Sequence, residues 1–573
     1  MSEFQFLKGW YDFQPDEVFR TEPRKVLKCE MFDSFEFRCS YFLTNLSLDR
    51  FTRQMGIENK KLSGEIFDYS KIRYPWTPLN DYEIQYCIND VKGLAQALIK
   101  KLKADGDTVR TVPLTSTGYV RRDVKRSMES YNRKQLAEML PDVDLYSMLR
   151  EAFRGGNTHA NRWYAGDIVE NVSSIDIVSS YPAVMLTCKY PMSKFIYVPN
   201  CSIAELKRLL KTKAVIMRVA FYDLDLIDNF NGCPYISRDK CRNIIGGVYD
   251  NGRVLRRSYL ELTCCDVDFK LIKRQYKWTD MNPFKVMYAR YDLLPAQIRE
   301  QVQNYYRVKT ELKGISEDDD QYIYYCNNKA KLNSCYGMTA QDPVKDTLEF
   351  LNGEFTYSDL PVRQILKASN KKAFLAYQWG VWISALARLR LHEAIKLAHS
   401  DTAEFIYCDT DSVKYQGHID WTAYNAQRIA DSKANGAYAT DAQGITHYMG
   451  VFEPEDDYSE FCTLGAKKYV GRVHGKLECT IAGVNKKLGA DELEKAGGIT
   501  AFKEGFIFTS AGGLEAIYND LPEIQEYTVD GHTLPITANV TLRPSTYTLG
   551  VTGEYEKLLK LSREELDRLL RKW

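Results

Sequence analysis

Histidine is scarce, and the cysteines never pair. The 573 residues hold 7 histidines and 14 cysteines, and no two cysteines stand in a Cys-x-x-Cys arrangement, which excludes a structural zinc site of ordinary spacing. Cys233, Cys241, Cys264 and Cys265 come nearest to a cluster, but their spacing fits no familiar site and they read as reduced structural cysteines. Any metal should therefore be held by oxygen. No apolar run is long enough to span a bilayer, and Met1 to Gln14 mixes acids, Lys8 and aromatics rather than forming a signal peptide; the expectation is a cytoplasmic protein without a membrane partner. Net charge is also small. At +1, the chain is not a polycation that simply coats nucleic acid. There is no internal repeat and no low-complexity linker.

What is present is ordinary in bulk and unusual in detail. Hydrophobic residues make up 45% and charged residues 27%, as in soluble globular proteins, and the length suits roughly three or four domain-sized units. Charge is uneven, because Lys100 to Lys134 carries Lys100, Lys101, Lys103, Arg110, Arg121, Arg122, Lys125, Arg126, Arg133 and Lys134 with few acids between them. That stretch is a candidate phosphate-contacting face.

The chain is organised around Phe405 to Tyr415, where two β-prone runs flank Asp409-Thr410-Asp411-Ser412. This reads as a hairpin with acids at its tip. In extended chain Asp409 and Asp411 would face one side, with Thr410 turned away, and two such carboxylates repel unless a hard divalent cation such as Mg²⁺ lies between them. A second aspartate, Asp176, ends the apolar run Val172 to Val178 just before Ser179-Ser180-Tyr181-Pro182, a strand-to-helix turn with proline suited to the first helical turn. An acid at the end of a core strand is costly unless something pairs with it. A cation shared with Asp409 would do so.

Other segments fall in place around these acids. A helix is signalled from Asn80 to Lys103, with Tyr86 and Asp90 one turn apart on it. Arg154-Gly155-Gly156 follows a helical pattern from Leu145 to Phe153, and its glycines permit close backbone approach while its arginine could meet a phosphate. Ile203 to Tyr291 alternates β-like runs with turns at Asn231-Gly232, Gly246-Gly247 and Asn251-Gly252, suggesting an inserted strand-rich subdomain. A helical hairpin begins at Gln297, turns near Gly314 and the acids Glu317, Asp318, Asp319 and Asp320, and resumes from Tyr322 to a stop at Gly337. Lys329, Asn333 and Tyr336 share one face of it, a stripe suited to phosphates and a base, and Lys309 on the other arm can add a second phosphate contact. Asp342 to Leu366 reads as loops and short strands, and Phe374 to His399 as a long amphipathic helix. Together these features fit two-metal phosphoryl transfer, specifically nucleotidyl transfer.

These residues resemble the family B DNA polymerases. Asp176-Ile-Val-Ser-Ser-Tyr-Pro182, Lys329-Ala-Lys-Leu-Asn-Ser-Cys-Tyr-Gly337 and Tyr407-Cys-Asp-Thr-Asp-Ser412 resemble its three polymerase motifs in order; Lys467-Lys468-Tyr469 is similar to its Lys-x-Tyr motif, and Phe153-Arg154-Gly155-Gly156 to its Tyr-x-Gly-Gly motif. The likeness covers nearly the whole chain from about Met31, and the long segments between motifs resemble the protein-primed branch of phages and linear plasmids. It implies an α+β multidomain right hand of palm, fingers and thumb, with two inserted subdomains and a partial RNase H-like exonuclease domain. The implied boundaries are 1–110 for the partial exonuclease-like domain, 111–187 and 373–499 for the palm, 188–297 and 341–372 for insertions contacting a terminal protein, 298–340 for the fingers and 500–573 for the thumb.

Carried over by residue, the resemblance implies that Asp176 and Asp409 bind two Mg²⁺ ions, for which Mn²⁺ can substitute, with Asp411 beside them. Tyr181 would be the steric gate that selects dNTPs, Lys329 and Lys309 would hold phosphates, and Asn333 and Tyr336 would line the nascent base pair. Phe153, Arg154, Gly155 and Gly156 would meet the DNA template, and Lys467 and Tyr469 the primer. Tyr86 and Asp90 resemble the third proofreading motif, but its Asp-x-Glu and Asn-x-x-(Phe/Tyr)-Asp companions do not appear upstream. The expectation is that this chain alone lacks 3′→5′ exonuclease activity, Met1 beginning partway through that domain and a separate chain completing it if the function survives. A primer-independent family B polymerase and a non-catalytic nucleic-acid-binding scaffold are the competing readings. Clustered acids repel phosphate and weigh against the scaffold.

Overall fold

The computed structural model describes residues 4–571 except 5–6, 9–10, 21–24, 60, 63–66, 70, 75, 228–231, 317–318, 320, 346–347, 352–353, 358–359, 519–525, 530–531 and 536–539. Asn231 of one expected turn and Glu317, Asp318 and Asp320 of the acidic loop lie outside the described residues.

Local chemistry sets the first long helix, α1 (Asp81–Asp105). The Asn80 side chain accepts the Glu83 N–H and Glu83 accepts the Asn80 N–H, each at 2.9 Å, while Gly106 ends the helix at φ 68°. Before it, Val18–Arg20, Val26–Met31 and Phe35–Arg38 form a three-stranded antiparallel sheet.

A central sheet of eight strands is built from two distant stretches of chain. Its strands include β1 (Thr158–Ala160) and β2 (Val169–Ile177); α2 (Ser180–Thr187) leaves directly after β2. A second eight-stranded sheet lies in residues 190–292, centred on β3 (Lys213–Leu226) between β4 (Arg253–Cys265) and β5 (Asp280–Asp292). The expected strand-rich segment is therefore present. Asn251 and Gly252 form its two-residue hairpin turn, both with positive φ, which is the backbone that an Asn-Gly turn supplies. Val215, Met217, Val219 and Phe221 of β3 pack with Leu260 and Leu262 of β4 in its core. The last two helices, Gly553–Leu559 and Arg563–Arg571, add Leu558 and Leu566 to that same core. Part of the 500–573 segment thus serves the second sheet, because apolar residues far apart in sequence share one buried layer.

Two helices, α3 (Ala296–Glu311) and α4 (Tyr322–Thr339), form the expected hairpin and bury Val302, Tyr305 and Tyr306 with Leu332, Cys335 and Met338. Gly337 does not stop α4. It lies within the helix, where an added Cβ would meet nothing, and the chain stays helical through Thr339. The segment read as loops and short strands holds a hairpin, Leu348–Leu351 with Glu354–Tyr357, and also a helix, Val362–Lys372. Phe350 of that hairpin buries against Phe4, Phe13 and Val26 of the amino-terminal region.

The helix α5 (Tyr377–Ala398) is buried along most of its length rather than amphipathic. Its first half, with Trp379 and Trp382, sits in the core shared with α2, α3 and α4; its second half, with Leu391, Ala394 and Ile395, covers the central sheet. A helix wedged between two cores is buried on more than one face. It delivers the chain to β6 (Ala403–Asp409) and β7 (Ser412–Gly417), and β8 (Tyr458–Gly465), β9 (Lys468–Val473) and β10 (Lys476–Ile481) complete the sheet in the order β10-β9-β8-β2-β7-β6-β1, with Phe452–Pro454 also beside β2. Among the described residues no helix is long and apolar enough to cross a membrane.

Candidate active site

Strand register creates the site. In the β6–β7 hairpin Asp409 pairs with Ser412, leaving Thr410 and Asp411 as the turn. The expectation that Thr410 turns away from the acids is corrected here. Thr410 takes φ 60°, the Asp411 N–H closes onto the Asp409 carbonyl at 2.7 Å, and the Thr410 hydroxyl donates to the Asp409 carboxylate at 3.1 Å. A tight turn with a positive φ breaks the two-residue alternation on which that expectation rested. Thr158 of β1 donates a further bond to Asp409 at 2.9 Å.

On its other edge β7 pairs with β2, and Ser412 lies opposite Asp176. The Asp411 carbonyl accepts the Ile177 N–H at 3.0 Å, tying the hairpin tip to the end of β2. Three non-glycine residues with positive φ surround this point: Ser179 (50°), Thr410 (60°) and Lys467 (57°). Strained backbone held in three adjacent turns is typical of functional sites.

Electrostatics point the same way. Burial, the charge of Asp411 and then Glu455 push the Asp176 carboxyl up to about 7, and burial followed by Asp409 raises Asp411 to about 6. Each acid resists ionising because negative charge is crowded into a poorly solvated corner. Lys467 forms an ion pair with the Asp409 carboxylate. Lys414, fully inside β7, donates to the Ser174 hydroxyl at 3.2 Å, and Ser174 donates to Glu455 at 2.8 Å. Sequence reasoning missed Lys414 and Glu455; the signals were a lysine in an apolar strand and an acid within the Glu453 to Tyr458 run.

A pH prediction follows from Asp176. A carboxyl whose folded value is raised keeps its proton where the unfolded chain has lost it, so its contribution to stability falls as pH climbs from about 4 through 7. In metal-free buffer Asp176→Asn is expected to raise Tm at pH 8, with the gain shrinking as pH approaches 4. A gain equal at both pH values contradicts this.

Among the described residues no group of three His, Cys, Asp or Glu side chains is placed to hold a metal ion. The donor set nonetheless fits Mg²⁺, which takes hard oxygens, keeps several waters, and commonly uses one or two carboxylates together with substrate phosphates. Asp176, Asp409 and Asp411 offer those oxygens at one corner of the sheet.

On the facing side, Tyr336 of α4 stacks on Tyr181 of α2, with ring centroids 4.0 Å apart and planes 2° from parallel. Lys329 and Asn333 are exposed on the same helix. Burial and then the neighbouring Lys329 charge lower the Lys309 pKa, so the two ammoniums lie close together. Gly156 packs under the hairpin tip, where an added Cβ would lie 2.7 Å from the Thr410 hydroxyl. Arg388 of α5 holds the glycine turn, donating to the Arg154 and Gly155 carbonyls at 2.5 and 2.9 Å and to Asp268 at 2.8 Å. Phe153 packs on Tyr377, and Tyr469 on Tyr407 and Phe461.

Two expectations change. Arg154 does not present its side chain for a phosphate, because it is buried with its guanidinium 5.4 Å from the Tyr235 ring. Several cations of the 100–134 stretch are spent internally: Lys101 on Asp105 at 2.9 Å, Arg122 on Asp107 at 2.6 Å, and Arg121 over Phe374. Lys125 and Arg126 remain exposed. Tyr86 is buried and bonded to Tyr69 at 2.5 Å, and Lys61 lies 3.7 Å from Asp90.

Known proteins resemble this chain in sequence and in fold. The family model described as DNA polymerase type B, organellar and viral, matches residues 32–418. The DNA polymerases of Bacillus phage Nf and Bacillus phage M2 are each 25% identical over 368 residues, covering 62% of this chain. The match spans 56% of the length of these curated relatives. Among solved structures, phi29 DNA polymerase complexed with primer-template DNA aligns with a TM-score of 0.68 at 18% identity, over 96% of this chain and 89% of that one. The same polymerase complexed with single-stranded DNA gives 0.67 over 95% and 89%. The mixed helix and strand architecture is therefore that of phi29 DNA polymerase. Since the family model covers well over half of its length, the chain belongs to the organellar and viral type B DNA polymerases.

Proposed function

We propose that this chain is a DNA-templated DNA polymerase that adds deoxynucleotides to a 3′ hydroxyl. The observation that carries this reading is the register that sets Asp176 opposite Ser412, beside the Asp409-Thr410-Asp411 turn. Family membership implies dependence on divalent cations in general, and the hard carboxylate set favours Mg²⁺ in particular, with Mn²⁺ as a substitute. When bound, such ions activate the attacking hydroxyl and neutralise the leaving pyrophosphate. Asp176 and Asp409 would hold them, and Asp411 would support the site from the turn. Lys329 and Lys309 grip the triphosphate, Asn333 and Tyr336 line the base pair, and Tyr181 lies beneath the sugar. Gly155 and Gly156 let template approach the hairpin tip, and Lys467 and Tyr469 hold the primer end, Lys467 leaving Asp409 as it does so.

The likeness to phi29 DNA polymerase, and the long segments between motifs, support a protein-primed, strand-displacing enzyme of phage or plasmid replication in the host cytoplasm. Residues 188–297 and 341–372 are the proposed contacts for a terminal protein. Proofreading is proposed to be absent from this chain alone, since Lys61 neighbours Asp90 and the other two nuclease motifs have no counterpart; a separate chain could complete that domain.

Primer extension on single-stranded template with Mg²⁺ and dNTPs tests the reading, and no extension by the wild-type chain would sink it. Adding terminal protein or omitting the primer separates the priming modes. Tyr181→Val is expected to raise ribonucleotide use relative to deoxynucleotide by about tenfold or more in kcat/KM, read by single-nucleotide incorporation. With single-stranded DNA and Mg²⁺ but no dNTPs, no 3′ degradation is expected; degradation abolished by Asp90→Ala would overturn the proofreading proposal.

A further inference from the structure

Cys408 immediately precedes Asp409 on β6 and is fully buried, and Cys233, remote in sequence, is buried beside it. The Asn157 side-chain amide lies 3.5 Å from the Cys233 sulfur and 3.7 Å from the Cys408 sulfur, so one amide bridges the two thiols. Asn157 also touches the catalytic turn, for its carbonyl accepts the Thr410 N–H at 2.8 Å. Arg253 fixes it from the other side, donating to its amide oxygen at 2.6 Å. One residue thus joins a thiol pair to the backbone that orients Asp409. The cysteines read from sequence as neighbours of Cys233 are not its partners.

From this placement we propose that Cys233 and Cys408 are a redox-modification site, oxidised by hydrogen peroxide to a disulfide that switches off nucleotide addition. The switching half rests on the polymerase reading above; the chemistry of the pair does not. Cys233 lines a narrow cavity of about 10 Å³ with Gly232, Gln275, His392 and Lys396, room for roughly one water-sized molecule, and Lys396 is exposed at its edge. Burial opposes ionisation of Cys233, but its neighbours, the Cys408 thiol first among them, outweigh it and lower its pKa. Cys264 and Cys265, by contrast, are held as thiols by burial. The thiolate is the reactive form, so peroxide should select Cys233.

The steps balance. The Cys233 thiolate attacks one peroxide oxygen, breaking the O–O bond to give a sulfenic acid and hydroxide, which takes a proton to leave as water. The Cys408 sulfur then attacks the sulfenic sulfur, forming S–S and expelling hydroxide, which leaves with the Cys408 proton as a second water. Two electrons pass from the thiols to the peroxide, and a dithiol reverses the change. The new bond draws Cys408 towards Cys233 and removes both thiols from Asn157, shifting Thr410 and Asp409.

The test treats the full chain with hydrogen peroxide and follows two readouts. Peptide mapping without reductant should find Cys233 linked to Cys408, and primer extension should fall by ~10²-fold, the order expected for a displacement of about 1 Å at a reacting group, with recovery on dithiothreitol. Cys233→Ser, with Cys233→Ala as a check on the replacement side chain, should keep its extension activity after peroxide. Both thiols found free, or linked elsewhere, would overturn the site whether or not the chain is a polymerase. A linked pair with unchanged extension would overturn the switch.

Discussion

Asp409→Ala is expected to lower primer extension by ~10³-fold or more while leaving the fold in place. The carboxylate is where a Thr158 bond, a Thr410 bond and the Lys467 ion pair converge, so it is the most tightly oriented acid of the site. Preorganised charge at a reacting phosphorus supplies much of the rate in metal-assisted phosphoryl transfer, and each 1.36 kcal/mol lost is about tenfold. Stability should move little or upward, since the mutation removes one of three crowded acids. Circular dichroism melts alongside extension rates separate the two effects; a parallel loss of Tm and activity would contradict the assignment.

Arg388→Met is expected to destabilise the protein by about 3–5 kcal/mol. Arg388 and Asp268 are both almost fully buried and paired at 2.8 Å, and the same guanidinium donates to the Tyr235 hydroxyl at 3.0 Å and to two backbone carbonyls. Removing it strands a buried carboxylate and unties the glycine turn beneath Thr410. Asp268→Asn added to Arg388→Met should recover part of the loss, because the uncompensated charge goes with it. Denaturant melts of the wild type, each single variant and the pair measure this; additive losses would contradict the buried-pair account.

Local signals carried well into structure. The capping pair Asn80 and Glu83, the Asn251-Gly252 turn and the β-prone runs flanking Asp409 each encode their own geometry within a few residues, and each appears where the sequence puts it. Gly337 misled, since an exposed helical glycine needs no positive φ and so marks no end. The alternation argument for Asp409 and Asp411 failed at the turn between them. What sequence could not supply is long-range. Arg154 faces inward because Tyr235 and Arg388, 81 and 234 residues away, enclose it, and the Lys414-Ser174-Glu455 link spans 240 and 281 positions. The Cys233 and Cys408 pair belongs to the same class, as it is created by a fold that brings the segment after β3 against β6.

The central claim, templated nucleotide addition at Asp176 and Asp409, is tested most directly by single-nucleotide incorporation with the wild-type chain. A primer-template is offered each dNTP in turn with Mg²⁺, opposite each of the four template bases. Extension by one nucleotide with the complementary dNTP alone is the predicted result. Addition that ignores the template base, or no addition at all, would contradict it.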